Sequence, residues 1–137
     1  MVTRTMPRVH DVLVPELRSA LPTVAVTTWI PDVDKRTYPL VNIRRIGGAA
    51  VDVARLDIAS LEVVAYARGS LIVAEDLYLD ARHAIWEMVQ RQTVTDAGYL
   101  HSFRETVGPT NYESPFEDTW RVQGVIQLGL RPPRTEE

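Results

Sequence analysis

The residues of this chain whose types and spacing could do chemistry fall on one helical face: Asp76, Asp80, His83 and Glu87. At about 100° per residue they share roughly 60° of arc. The run D-x-x-H-x-x-x-E, from Asp80 to Glu87, would let one metal ion touch two carboxylates and an imidazole, with Asp76 nearby. The competing reading is a solvated acidic face on which His83 makes an ordinary i,i+4 contact with Glu87. Metal sites on helices normally recruit ligands from a second element, and none declares itself here. His10 and His101 complete no nucleophile arrangement, because the chain has no G-x-S-x-G elbow. Gly47-Gly48 begins GGAAVD, which matches neither G-x-G-x-x-G nor a phosphate loop with its lysine. Zero cysteines exclude disulfides, thiolate catalysis and cysteine-based zinc sites. No catalytic residue, cofactor or metal is therefore expected. A small metal-dependent enzyme or ligand-binding domain remains the lesser alternative.

The element that carries these residues is a helix expected over Ser70–Gln92, fed by a strand over Asp57–Ala67 and a Gly69-Ser70 hinge. Ala74, Leu77, Ala81, Ala84, Ile85, Met88 and Val89 lie within an arc of about 140°, a core-facing stripe. Ser70 is a suitable N-cap, and Arg91 suits the last turn of the helix dipole. Beside the acidic face runs a second apolar ridge, Ile72, Leu79 and Trp86, at i, i+7 and i+14. A domain with one core needs only the first stripe. The ridge is either covered by the N-terminal helix or a loop, or it is a subunit contact.

A length of 137 residues fits a single domain over 1–137 with one sizeable core. No apolar run is long enough to span a bilayer, and the start, MVTRTMPRVH, has no apolar leader core, so neither membrane nor secretion is expected. The net charge of −3 argues against a protein that grips nucleic acid. Only Arg44-Arg45 and the terminal Arg131/Arg134 approach basic clusters. The Arg44-Arg45 pair could touch DNA or an acidic partner, or divide into one solvated side chain and one salt bridge.

Along the chain, residues 1–8 are expected to form a flexible arm. Helical spacing then runs from Val9 to Leu21, with an irregularity at Pro15 and a stop at Pro22. Thr23–Ile30 reads as a first strand, and Trp29 at its end is a candidate loop-surface residue. Leu40–Ile46 is the second strand, with Val41 and Ile43 on one face. Gly47-Gly48 is expected to break it and open a loop through Arg55. Tyr99–Val107 is a fourth strand, followed by a loop over Gly108–Asp118. Trp120–Leu130 alternates cleanly as the fifth, and 132–137 is a tail. This order gives an α+β fold: a mixed, mainly antiparallel sheet of about five strands, with an N-terminal helix and one long central helix packed on it.

Three stretches carry a resemblance: D-V-L-V-P-E-L-R from Asp11, Y-P-L-V-N-I-R-R-I-G-G from Tyr38, and D-x-A-x-L-E-V-V-A-Y-A from Asp57 into the alanine-rich helix. With the element order, they make the chain from Asp11 to Leu130 resemble the tail terminator (tail completion) proteins of long, non-contractile-tailed phages, especially those of actinobacteria. The resemblance implies a structural virion protein that forms a homo-hexameric ring on the head-proximal end of the tail. Such a ring stops polymerisation of the major tail tube protein, joins the head–tail stopper or connector, and lets DNA pass through its lumen without sequence-specific binding. Assembly would take place in the host bacterial cytoplasm. Candidate contacts with neighbouring subunits or partners are Ile72, Leu79, Trp86, Arg44, Arg45, Trp29, Gly47 and Gly48, with the loops Pro31–Thr37, Gly47–Arg55 and Gly108–Asp118. Another head–tail neck component is the nearest alternative, but those tend towards a small β-barrel or an all-helical build.

Overall fold

In a computed structural model, which describes residues 2–133, the elements are α1 (Val9–Ala20), β1 (Ala25–Thr27), β2 (Leu40–Asp52), β3 (Leu56–Ala67), α2 (Leu71–Arg91), β4 (Tyr99–Tyr112) and β5 (Trp120–Arg131). The five strands form one sheet in the order β1-β2-β3-β5-β4. Only β1–β2 is parallel; the other neighbours are antiparallel. This is the expected α+β architecture. The expected tail residues 134–137 lie outside the described residues.

β3 holds the middle because both its edges are paired, to β2 and to β5, from Asp57 to Tyr66. Its period-2 pattern splits as the pleat requires. Ala59, Leu61, Val63, Ala65 and Ala67 point into the main core, which they share with Val41 and Ile43 of β2 and Ile126, Leu128 and Leu130 of β5. Both helices supply side chains to that same cluster, so they lie on one face of the sheet. Val64 and Tyr66 point the other way, into a small cluster with Leu40, Ile30, Tyr38 and Phe116.

α1 runs through Pro15 without breaking. Pro15 and Asp11 both lie on the exposed side, so water can satisfy the Asp11 carbonyl that the proline leaves without a donor. α2 begins and ends where its caps dictate. The Ser70 hydroxyl accepts from the Val73 amide at 3.3 Å. Gln92 turns left-handed, with φ 48° and ψ 51°, and its amide reaches back to the last carbonyls.

Three expectations are corrected. The first strand is not Thr23–Ile30 but Ala25–Thr27. Val24 is already committed to a turn, its amide donating to the Leu21 carbonyl at 3.1 Å, and β2 offers partners only from Leu40 to Asn42. Gly47-Gly48 does not end the second strand. The pair follows a bulge at Ile46, and the strand continues to Asp52. Gly48 has φ +98°, and a Cβ there would sit 1.9 Å from the Ile58 carbonyl oxygen, so glycine is needed for close approach and not for a loop. The turn comes later, where the Asp52 carboxylate and carbonyl accept from the Ala54 and Arg55 amides at 2.9 and 3.0 Å. Likewise β4 passes Val107 and reaches Tyr112. It is an edge strand with register shifts on either side of Val107, and an edge tolerates Pro109.

Candidate assembly surfaces

The inner side of α2 is a packing surface with one polar feature that the sequence pattern did not single out. Tyr78 is fully buried, and its hydroxyl donates to Glu105 Oε2 at 3.0 Å. Arg82 Nη1 donates to both oxygens of the same carboxylate, at 3.1 and 3.0 Å. Burial first, and then the Glu105 hydrogen bond and charge, push the Tyr78 phenol far above its ordinary range, so it keeps the proton it donates to Glu105. Space for the ring comes from Gly124 of β5, where a Cβ would lie 2.1 Å from the phenol oxygen. One sequence clue was present: Tyr78 sits between Leu77 and Ala81 of the core stripe, at helical spacing from Ala74 and Ile85.

The outer side of α2 carries the expected ridge, exposed at its ends and only partly covered by the described residues. Ile72 is 70% exposed and Trp86 43%. Leu79, between them, is half-buried against the core. His83 stacks on Trp86, with ring centroids 5.6 Å apart. Leu79, Arg82, His83 and Trp86 meet Phe103 of β4 to form an open groove with an apolar floor. Phe103 was not a candidate, because a bulge after Leu100 shifts the register of β4 and brings Leu100 and Phe103 to the core side.

The Asp80/His83/Glu87 constellation does face a shared groove, between α2 and the end of α1, but His83 and Glu87 pair with each other along the helix. His83 Nε2 lies 3.1 Å from Glu87 Oε1, and Arg91 Nη2 lies 3.3 Å from Glu87 Oε2. Among the described residues no three histidine or carboxylate groups are placed to hold a metal ion. The arrangement is that of a solvated charge ladder.

Arg44 and Arg45 part company. Arg45 makes a bidentate pair with Asp57, at 2.6 and 3.0 Å, and donates through Nε to the Gly47 carbonyl at 3.0 Å. The Asp57 hydrogen bond raises its pKa, and the pair fixes the bulge where β2 leaves the core. His10 lies against this pair. Burial holds its imidazole below the ordinary value, with Asp11 opposing and Arg45 adding to the effect. Arg44 points outward and reaches Glu62 only at 3.5 Å. Trp29 is 65% exposed beyond the end of β1. Gly47 and Gly48 belong to a β2–β3 ribbon whose outer residues Ile46, Val51 and Val53 are exposed; Val51 and Val53 are bare at 73% and 81%. The N-terminal segment lies against the ribbon's turn, the Thr5 hydroxyl donating to the Ala54 carbonyl at 3.1 Å.

The described residues thus expose apolar side chains on α2 and on the β2–β3 ribbon. The "Gene 22 protein" of Mycobacterium phage L5 is 47% identical over 134 residues, spanning 95% of this chain and 96% of the relative. Its counterpart in Mycobacterium phage D29 is 43% identical over the same share. Among solved structures, a chain from the virion of a native gene transfer agent particle shares the fold with a TM-score of 0.59, over 90% of this chain and 94% of that one, at 11% identity. The family model for phage tail termination protein matches residues 5–137. The chain belongs to the phage tail termination protein family, and is accordingly a structural virion protein and not an enzyme.

Proposed function

We propose that this chain assembles into a ring, hexameric as in the resembling terminators, on the head-proximal end of the tail tube. There it ends polymerisation of the tube protein and presents the surface to which the head connector joins. The observation that carries this reading is the partly exposed apolar ridge Ile72–Leu79–Trp86 on a well-capped helix of a tail-termination chain. An exposed tryptophan in an apolar row is typical of a site completed by another protein. A net charge of −3 is compatible with DNA sliding through a lumen that does not grip it. No helix of the described residues is long and apolar enough to cross a membrane.

Two measurements test this. Light scattering and electron microscopy of the purified chain should give closed rings at high concentration. Added to tube protein of the same phage during polymerisation, the chain should shorten the tubes and appear at one end only. Unchanged tube lengths with no end-bound density would overturn the terminator role.

A further inference from the structure

We infer that the ring is closed by a head-to-tail contact in which the β2–β3 ribbon of one subunit docks on the α2 ridge of a second copy. This rests on the ring reading above and names the two surfaces that would meet.

The two surfaces lie on opposite margins of the sheet. The ridge borders β4, the last strand in the order, through Phe103. The ribbon lies at the other side, because β1 pairs only with Leu40–Asn42 and leaves the outer edge of β2 open from Ile43 to Asp52. A ring requires two different, mutually complementary patches; a self-complementary patch would stop at a dimer.

They also match in chemistry. The ridge presents Ile72 and Trp86 beside Glu75, Asp76 and Asp80, and none of these three carboxylates has an ion-pair partner among the described residues. The ribbon presents Ile46, Val51 and Val53 beside Arg55, which also lacks an ion-pair partner there, and Arg44, held only loosely by Glu62. Apolar side chains flanked by free acids would meet apolar side chains flanked by available arginines. Such charges raise the encounter rate and fix register more than they add affinity. The lengths agree as well. From Ile72 to Trp86 is about 21 Å along a helix, and from Ile46 to Asp52, where β2 ends with Val53 just beyond in the turn, is about 20 Å along a strand.

The absence of cysteine makes this directly testable. The double variants V53C/I72C and V53C/W86C, and the three single variants, would be treated with a thiol-reactive bismaleimide at ring-forming concentration. A head-to-tail contact predicts a ladder of covalent multimers beyond the dimer in at least one double variant, and no cross-link in any single one. Circular dichroism checks that each variant is folded, and all three substituted positions are exposed. A single variant that dimerises shows a symmetric contact and overturns the inference. Rings seen by scattering without a ladder in either double variant overturn it while leaving the ring intact. A wild-type chain that stays monomeric at every concentration removes the ring, and this contact with it.

Discussion

The inner and outer sides of α2 differ in what their apolar side chains touch. On the inner side Leu77, Tyr78, Ala81, Ile85 and Met88 are packed against strands, and the one polar atom among them is matched by Glu105. On the outer side Ile72 is largely bare, and Trp86, though stacked on His83 and bordering Phe103, keeps 43% of its surface exposed. The same helix therefore serves folding with one stripe and, on our proposal, assembly with the other. Amphipathicity alone does not separate these roles; what separates them is whether a second element of the same chain covers the stripe.

Substitutions on the inner side should do the most damage. Tyr78→Ala should cost about 3–5 kcal/mol, because it opens a large cavity and strands the Glu105–Arg82 pair without its third member; chemical denaturation would read this as a lower midpoint. Gly124→Ala should cost about 1–3 kcal/mol by driving a methyl group into the Tyr78 phenol. A Gly124→Ala chain as stable as wild type would mean the ring has room to move and the inner side is looser than described. At the helix start, Ser70→Ala should cost about 1 kcal/mol through the lost cap to Val73.

A smaller, pH-dependent effect is expected away from both sides of the helix, at the Arg45–Asp57 bulge. His10 in the folded chain binds its proton less readily than the ordinary value of 6.5 implies, chiefly because it is buried. Below that value the unfolded chain holds more protons than the folded one, so stability rises with pH. This contribution should be complete above the unfolded value and decline as pH falls beneath it. His10→Gln should flatten the midpoint-versus-pH curve on the acid side of the ordinary value of 6.5. An unchanged curve would show that His10 is as free as a solvated imidazole.

Much of this was legible in residue order. The ends of α2 followed from Ser70 and from the period of its stripe, and β3 and β5 from clean alternation. The outer ridge could also be read as a surplus stripe, though whether anything covered it depended on the tertiary arrangement. What could not be read were features set by a partner strand. β1 is short because β2 pairs with three of its residues, and Gly47-Gly48 continues a strand because Ile58 lies within reach of Gly48. Phe103 reached the α2 groove through a bulge in β4, which side-chain alternation does not announce. Tyr78 was hidden for another reason: its role depends on Glu105, 27 positions away, and on the missing side chain of Gly124.

The division of α2 into a side that folds the subunit and a side that joins subunits stands or falls with Trp86. Trp86→Glu tests it most directly, by light scattering and thermal unfolding on the same samples. We expect a multi-subunit ring for the wild-type chain and a folded monomer for Trp86→Glu, with the two chains within about 1 kcal/mol of each other when unfolded at a dilution that leaves both monomeric. A Trp86→Glu chain that assembles normally, or one that unfolds, would contradict that division.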